Sequence, residues 1–151
     1  MGNHLTKLFA TFFYIGNLPA APGTMASFAA TLIALILMPV PVLYVLFFIV
    51  VTVIGFGVSG EMEKILQKKD PSCVVIDEVA GVMISFFLLP RTWPVIITAF
   101  FLFRAFDMFK LYPVNKFEKI GGAAGIMMDD IVAGLYTNIT MHIAIRLAHV
   151  I

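Results

Sequence analysis

Long apolar runs dominate the chain, and short polar segments separate them. No charged side chain occurs from residue 28 to residue 59, and only the sequence MPVP at residues 38–41 interrupts this run. Proline removes a backbone hydrogen-bond donor and clashes with the preceding helical turn. The pattern therefore predicts two helices joined by a tight turn, the first over residues 25–38 and the second over residues 42–60.

A second helical hairpin is predicted over residues 75–109, where two apolar arms flank the sequence PRTWP at residues 90–94. Both arms are short for a membrane crossing, which takes about 20 residues at a rise of about 1.5 Å per residue. A charged segment at residues 61–72 precedes this hairpin, and a polar, glycine-rich segment at residues 110–128 follows it. Residues 131–151 are predicted to form the last helix.

The composition indicates that these are membrane helices. Hydrophobic residues make up 61% of the 151 residues and charged residues only 13%, a balance far outside that of soluble domains. Because a small domain buries a limited share of its surface, lipid is the natural environment for so many apolar side chains. We predict an all-α fold: a multi-pass membrane helical bundle with short, partly interrupted helices, formed by residues 1–151 as a single domain.

Other features of the sequence exclude several functions. The net charge of +1 provides no basic field for nucleic acid. The single cysteine, Cys73, excludes an internal disulfide and a cysteine zinc site. No Walker-type phosphate loop and no Ser/His/Asp arrangement is visible. The N-terminal apolar segment has no ordinary cleavage pattern, and we expect it to be retained.

The basic residues predict an orientation in the membrane. If residues 39–41 and 90–94 lie on one side, most basic residues lie on the other, which the excess of Lys and Arg marks as cytoplasmic. These are Lys7, Lys64, Lys68, Lys69, Arg104, Lys110, Lys116 and Lys119. The same topology places five of the nine acids in one layer at the cytoplasmic boundary: Asp77, Glu78, Asp107, Asp129 and Asp130.

Helix capping is one explanation for some of these acids, because an aspartate at a helix start accepts free backbone N–H groups. It does not explain Asp107, which lies near the C-terminal end of its apolar run, where the helix dipole disfavours an anion. Carboxylates withdrawn from water need a counter-charge. Arg104, Asp107 and Lys110 are spaced by three and share one helix face. Oxygen ligands without a Cys or His cluster favour Mg²⁺ or Mn²⁺.

A second candidate site element is the sequence PAAPGTMAS at residues 19–27. Pro22 and Gly23 predict a turn, and Thr24 or Ser27 is predicted to begin a helix. Backbone N–H groups and hydroxyls at such a helix start can bind phosphate. A plain N-cap is the alternative.

Four blocks of the sequence resemble the phosphatidylglycerophosphatase A family in order and approximate spacing. The blocks are LPAAPGTMAS (18–27), VVIDEVAG (74–81), FRAFDMFKLYP (103–113) and GGAAGIMMDDIVAG (121–134). This family comprises Mg²⁺-dependent bacterial enzymes that remove the terminal phosphate of phosphatidylglycerophosphate to give phosphatidylglycerol. The resemblance implies a lipid phosphomonoesterase in the bacterial inner membrane, with its active site facing the cytoplasm.

The resemblance also implies roles for individual residues. Five acids look like the set that holds Mg²⁺, namely Asp77, Glu78, Asp107, Asp129 and Asp130, and the four aspartates among them look like the catalytic residues. Arg104 and Lys110 resemble phosphate-binding bases, and Thr24 beside Gly23 looks like an additional anion contact. Direct attack by water and an aspartyl-phosphate intermediate both stay open.

Three other functions stay open at this point. Carboxylates within membrane spans often mark ion pathways, so a small ion or proton transporter is one alternative, although its acids would more naturally lie near the midplane. A non-catalytic assembly subunit would use its small residues for helix packing. The third alternative is a phosphatase that acts on another lipid phosphate. Membrane lipid is an expected partner, nucleic acid is not, and the oligomeric state stays open.

Overall fold

The computed structural model describes residues 3–109, 112 and 120–148. The described residues form six α-helices and one short 3₁₀ helix, and they contain no β-strand, which confirms the all-α prediction. In chain order the elements are α1 (Asn3–Ala10), the 3₁₀ helix (Ile15–Asn17), α2 (Pro22–Leu37), α3 (Pro41–Leu66), α4 (Ile76–Ser85), α5 (Trp93–Phe109) and α6 (Gly122–Ala148).

Two helices in the described part of the chain, α3 and α6, are long and apolar enough to cross a membrane. Large apolar side chains such as Val42 and Val53 on α3 and Ile143 on α6 are exposed on the outside of the bundle. Helix α4 has 10 residues and is therefore about 15 Å long, roughly half the thickness of the hydrocarbon core. The helix set is consistent with a membrane location, and α4 is too short to span the membrane.

Helix α4 lies at the centre of the bundle and packs against α2, α3, α5 and α6. Its side chains Val79, Val82 and Met83 are fully or almost fully buried. Helices α4 and α6 approach most closely at two glycines, because a Cβ atom on Gly134 would lie only 2.4 Å from the carbonyl oxygen of Gly81. This close approach fixes the two helices relative to each other.

The end of α4 is held by polar side chains of α6. The last carbonyl groups of a helix have no partner within the helix. Here the Nδ2 group of Asn138 donates hydrogen bonds to the carbonyl oxygens of Ser85 (3.2 Å) and Phe87 (2.8 Å), and Nε2 of His142 lies 3.3 Å from the same Phe87 oxygen. These contacts explain why two polar residues interrupt the last apolar run.

We expect Asn138→Leu to destabilise the protein by about 1 kcal/mol, because it removes one partly buried and one exposed hydrogen bond to the end of α4. The substitution keeps the approximate size of the side chain and removes both hydrogen bonds. Thr140→Val is the matched control, because Thr140 lies on the same helix and is exposed. Thermal unfolding in detergent measures both variants. Equal melting temperatures for the two would contradict a capping role for Asn138.

The predicted end of α3 and the predicted start of α6 are wrong. Helix α3 continues six residues past residue 60, to Leu66, because EMEKIL consists mostly of good helix formers. Helix α6 begins at Gly122 rather than at residue 131. Gly121 and Gly122 turn the chain with φ values of 74° and 66°, which glycine adopts readily. Once the chain has turned, the following Ala and Met residues favour a helix whose inner face is buried.

These boundaries change the interpretation of several polar residues. Asp129 and Asp130 lie well inside α6, so neither caps its start. Helix α2 begins at Pro22 after Ala21, which has a left-handed backbone, so neither Thr24 nor Ser27 begins this helix as predicted. The predicted hairpin over residues 75–109 is confirmed, with α4 and α5 joined through the proline-containing segment.

Candidate active site

A cavity of about 460 Å³ opens where α2, α4, α5 and α6 meet, a size typical of small-molecule sites. All five predicted acids line it, together with Thr24 and Arg104. Lys110, the second predicted phosphate-binding base, lies outside the described residues. The structure thus brings together every predicted site residue that it describes.

The acids reach this cavity from three helices. Asp77 and Glu78 belong to the first turn of α4, and Asp107 belongs to the last turn of α5. Asp129 and Asp130 face inward from α6, where both are buried. Because these helices are packed around α4, residues from distant parts of the sequence share one end of the bundle.

Arg104 is the centre of one half of the site. Its guanidinium group forms an ion pair with Glu78 and a second with Oδ2 of Asp107 at 2.7 Å. Ser27 donates a hydrogen bond of 2.6 Å to Oε2 of Glu78. Gly23 makes room for this carboxylate, since a Cβ atom there would lie 1.7 Å from Oε1 of Glu78. Glu78 and Asp107 thereby orient Arg104 at the cavity.

The other half of the site is formed by three more deeply buried aspartates. Asp77, Asp129 and Asp130 are 8%, 6% and 3% exposed. Oδ1 of Asp77 accepts a hydrogen bond from the Glu78 backbone at 2.9 Å, and Oδ1 of Asp129 accepts one from the Asp130 backbone at 3.0 Å. Oδ2 of Asp130 is buried and has no hydrogen-bond partner among the residues that the structure describes. Such an acceptor fits a bound cation.

The two acids at the start of α4, outside the candidate spans, are hard to ionise. Burial raises the pKa of Asp77 well above its usual value, and the nearby carboxylates of Glu78 and Asp129 raise it further. Burial also raises the pKa of Glu78 to about 7, although Arg104 and the hydrogen bond from Ser27 act in the opposite direction. An additional cation in this cavity would favour the ionised forms of these carboxylates.

The described residues contain no group of three or more His, Cys, Asp or Glu side chains arranged as a complete metal site. Glu78 and Asp107 are directed to Arg104, and neighbouring residues on a helix such as Asp129 and Asp130 point about 100° apart. Magnesium, however, typically uses one or two carboxylates and completes its shell with water and substrate phosphate. Asp130, with Asp77 or Asp129, provides oxygen ligands of this kind.

Two residues of the site were missed by the sequence analysis. Ser27 was considered as a helix start whose hydroxyl could bind phosphate, whereas its hydroxyl donates a hydrogen bond to Glu78. Asp70 lies at the rim of the cavity and adds a sixth carboxylate. The one available signal was its position, since Asp70 precedes Pro71 and is the charged residue nearest to the VVIDEVAG block.

The helices and the cavity define the class of this molecule: an all-helical protein whose described part has two helices long and apolar enough to cross a membrane and an acidic cavity that contains an arginine. Within this class, the sequence profile of the family Phosphatidylglycerophosphatase A matches residues 8–145, and the chain belongs to this family. This membership confirms the resemblance found in the sequence and the prediction of a phosphatase that acts on a phosphate monoester.

Similar proteins carry two different names. Phosphatidylglycerophosphatase A of Haemophilus influenzae is 33% identical, over 89% of this chain and 85% of the relative. Phosphatidylglycerophosphatase A of Escherichia coli is 35% identical, over 85% of this chain and 76% of the relative. A Bacteroides thetaiotaomicron protein, provisionally named a phosphatidylinositol-3-phosphatase, is 36% identical over 93% of both chains. No solved structure matches the chain significantly.

Proposed function

We propose that the protein hydrolyses phosphatidylglycerophosphate to phosphatidylglycerol and inorganic phosphate in bacterial phospholipid synthesis, with Mg²⁺ as its cofactor. The observation that supports this most directly is the shared cavity, which is lined by Arg104 and six carboxylates and contains a buried oxygen of Asp130 without a partner among the described residues. Family membership and the names of two relatives support the choice of substrate.

The proposed location is the inner membrane, with several helices embedded and the cavity at the cytoplasmic boundary. The length and apolar composition of α3 and α6 support membrane crossing. Lys64, Lys68 and Lys69 follow the apolar part of α3 toward the cavity end, as expected for a cytoplasmic side. In this position the cavity would receive a lipid headgroup while the acyl chains stay in the hydrocarbon layer.

In the proposed reaction, Arg104 and Thr24 bind the phosphoryl oxygens, with Lys110 as the second base. Asp130, together with Asp77 or Asp129, would hold Mg²⁺, which would neutralise charge on the phosphoryl group. A cavity aspartate accepts a proton from the attacking water, whose oxygen forms a bond to phosphorus while the P–O bond to the lipid alcohol breaks. The same proton can then neutralise the departing alkoxide.

Phosphate release by the purified protein tests the proposal. We expect release from phosphatidylglycerophosphate in detergent with Mg²⁺, none after chelation by EDTA, and recovery when Mg²⁺ is restored. Asp129→Asn should lose this activity. An ion transporter or an assembly subunit would release no phosphate under any of these conditions, so a consistently inactive wild-type protein that is folded would overturn the proposal.

A second candidate substrate is phosphatidylinositol 3-phosphate, because the Bacteroides relative with that name covers 93% of the chain. Both lipids present a phosphate monoester on a polyol headgroup, which the same cavity chemistry could cleave. We expect kcat/KM to be at least about tenfold higher for phosphatidylglycerophosphate, a difference of about 1.4 kcal/mol in transition-state stabilisation. A higher kcat/KM for phosphatidylinositol 3-phosphate would instead support that lipid as the substrate.

A further inference from the structure

Glu63, near the end of α3, links two other parts of the chain through one carboxylate. Its Oε1 accepts a hydrogen bond from the backbone N–H of Asp70 at 3.0 Å, and its Oε2 accepts one from the backbone N–H of Gly122 at 2.8 Å. The backbone oxygen of Glu63 also accepts bonds from Gln67 and from Lys68, the latter at 3.3 Å. One residue thus holds the loop after α3 and the start of α6.

Both bonded N–H groups belong to residues with left-handed backbones. Asp70 has φ 47° and Gly122 has φ 66°. This conformation is unfavourable for a residue with a side chain, so Asp70 needs contacts that hold it. The hydrogen bond from its N–H to Glu63 is such a contact.

The contacts of Glu63 lie directly behind the site. Glu63, Asp70 and Asp129 line a small void of about 10 Å³, close to the space one water needs. Asp70 and Asp129 also line the large cavity, whereas Glu63 does not. Glu63 therefore bonds the backbone of one cavity acid, Asp70, and shares a void with a second, Asp129, without lining the large cavity itself.

We propose that Glu63 is a positioning residue of the active site, which fixes Asp70 as a sixth acid at the cavity and holds the first turn of α6 behind Asp129. This inference rests on the proposed function of the cavity. It predicts that the Glu63 carboxylate affects the affinity of the site for Mg²⁺ rather than the overall fold, because its two oxygens join elements that both border the acids.

Glu63→Gln tests this role, since an amide has one acceptor oxygen and leaves one of the two N–H groups without a partner. Glu61→Gln is the matched control: it makes the same charge change two residues earlier, where the carboxylate accepts a hydrogen bond from Thr6 of α1 at 2.7 Å. We expect Glu63→Gln to raise the Mg²⁺ concentration for half-maximal phosphate release by about 10-fold, the lower end for supporting residues of metal sites. Glu61→Gln should leave it unchanged.

The second measurement is the rise in melting temperature that Mg²⁺ produces, which requires no turnover. At a fixed, subsaturating Mg²⁺ concentration, Glu63→Gln should show a smaller rise than wild type and Glu61→Gln the same rise. Asp70→Asn, which keeps the backbone N–H for Glu63, should also reduce the rise. Adding Glu63→Gln to Asp70→Asn should reduce it by less than the sum of the two single effects, because part of the effect of Glu63 acts through Asp70.

The outcomes separate the two proposals. If wild type neither releases phosphate nor responds to Mg²⁺, the proposed function fails and this inference fails with it. If wild type does both and Glu63→Gln behaves like Glu61→Gln, or if the effects of Glu63→Gln and Asp70→Asn simply add, only the positioning role of Glu63 is overturned.

Discussion

Asp130→Asn is expected to lower kcat/KM for lipid phosphate hydrolysis by about 10²- to 10³-fold, the loss typical when one preorganised electrostatic contact to the transition state is removed. In the absence of Mg²⁺, the same variant should melt at a higher temperature than wild type. The loss of activity concerns the site with Mg²⁺ bound, whereas the gain in melting temperature concerns the site without Mg²⁺.

The reason is the burial of this carboxylate. Asp130 is 3% exposed, and its Oδ2 has no hydrogen-bond partner among the described residues. A buried charge without compensation destabilises the fold, whereas a neutral amide of the same shape costs less. With Mg²⁺ the wild-type carboxylate gains its counter-charge, so the cation should stabilise wild type and not Asp130→Asn.

Asp107→Asn is the informative comparison within the same cavity. Asp107 is paired with Arg104 at 2.7 Å, so its neutralisation removes an existing ion pair and leaves a partly buried arginine with less counter-charge. We expect this variant to lose activity and to melt below wild type without Mg²⁺. Thermal unfolding with and without Mg²⁺, alongside steady-state kinetics, measures both variants. An Asp130→Asn protein that keeps wild-type activity or the full Mg²⁺ response would contradict the assignment.

The sequence could predict the acids of the site because each lies in a block with a recognisable environment. Capping could explain an acid such as Asp77 at a helix start but not Asp107, which lies where the helix dipole disfavours it, and the resemblance of the four blocks implied the roles of the whole set. The helical hairpin around them was also predictable, since proline limits where a helix can continue. The predicted topology placed these acids in one layer, but the local sequence could not show that they line one cavity together with Arg104.

The missed residues depend on contacts between distant segments. Ser27 and Glu78 are 51 positions apart, and Glu63 and Gly122 are 59 positions apart. No local pattern pairs such residues, because their proximity follows from how the helices pack. The start of α6 was missed for a related reason. Two consecutive glycines predict a loop, but packing against the bundle stabilises a helix that begins at the second of them, Gly122.

Gly134→Ala is expected to cause the largest loss of stability, more than about 3 kcal/mol, at the upper end of the cost of overpacking a core. The added Cβ would lie 2.4 Å from the carbonyl oxygen of Gly81 and 2.2 Å from Cγ2 of Ile84. A side chain could rotate away, but a backbone carbonyl in a packed helix cannot. Helices α4 and α6 would have to separate.

Gly57→Ala provides the matched control, because the same substitution on α3 would meet no atom within 4 Å. Alanine is the better helix former, so this variant should be neutral or more stable by up to about 1 kcal/mol. Chemical or thermal unfolding in detergent compares the two. Since α4 holds Asp77 and α6 holds Asp130, any Gly134→Ala protein that still folds should also respond less to Mg²⁺. Similar melting temperatures for the two variants would show that the close approach of α4 and α6 is not required.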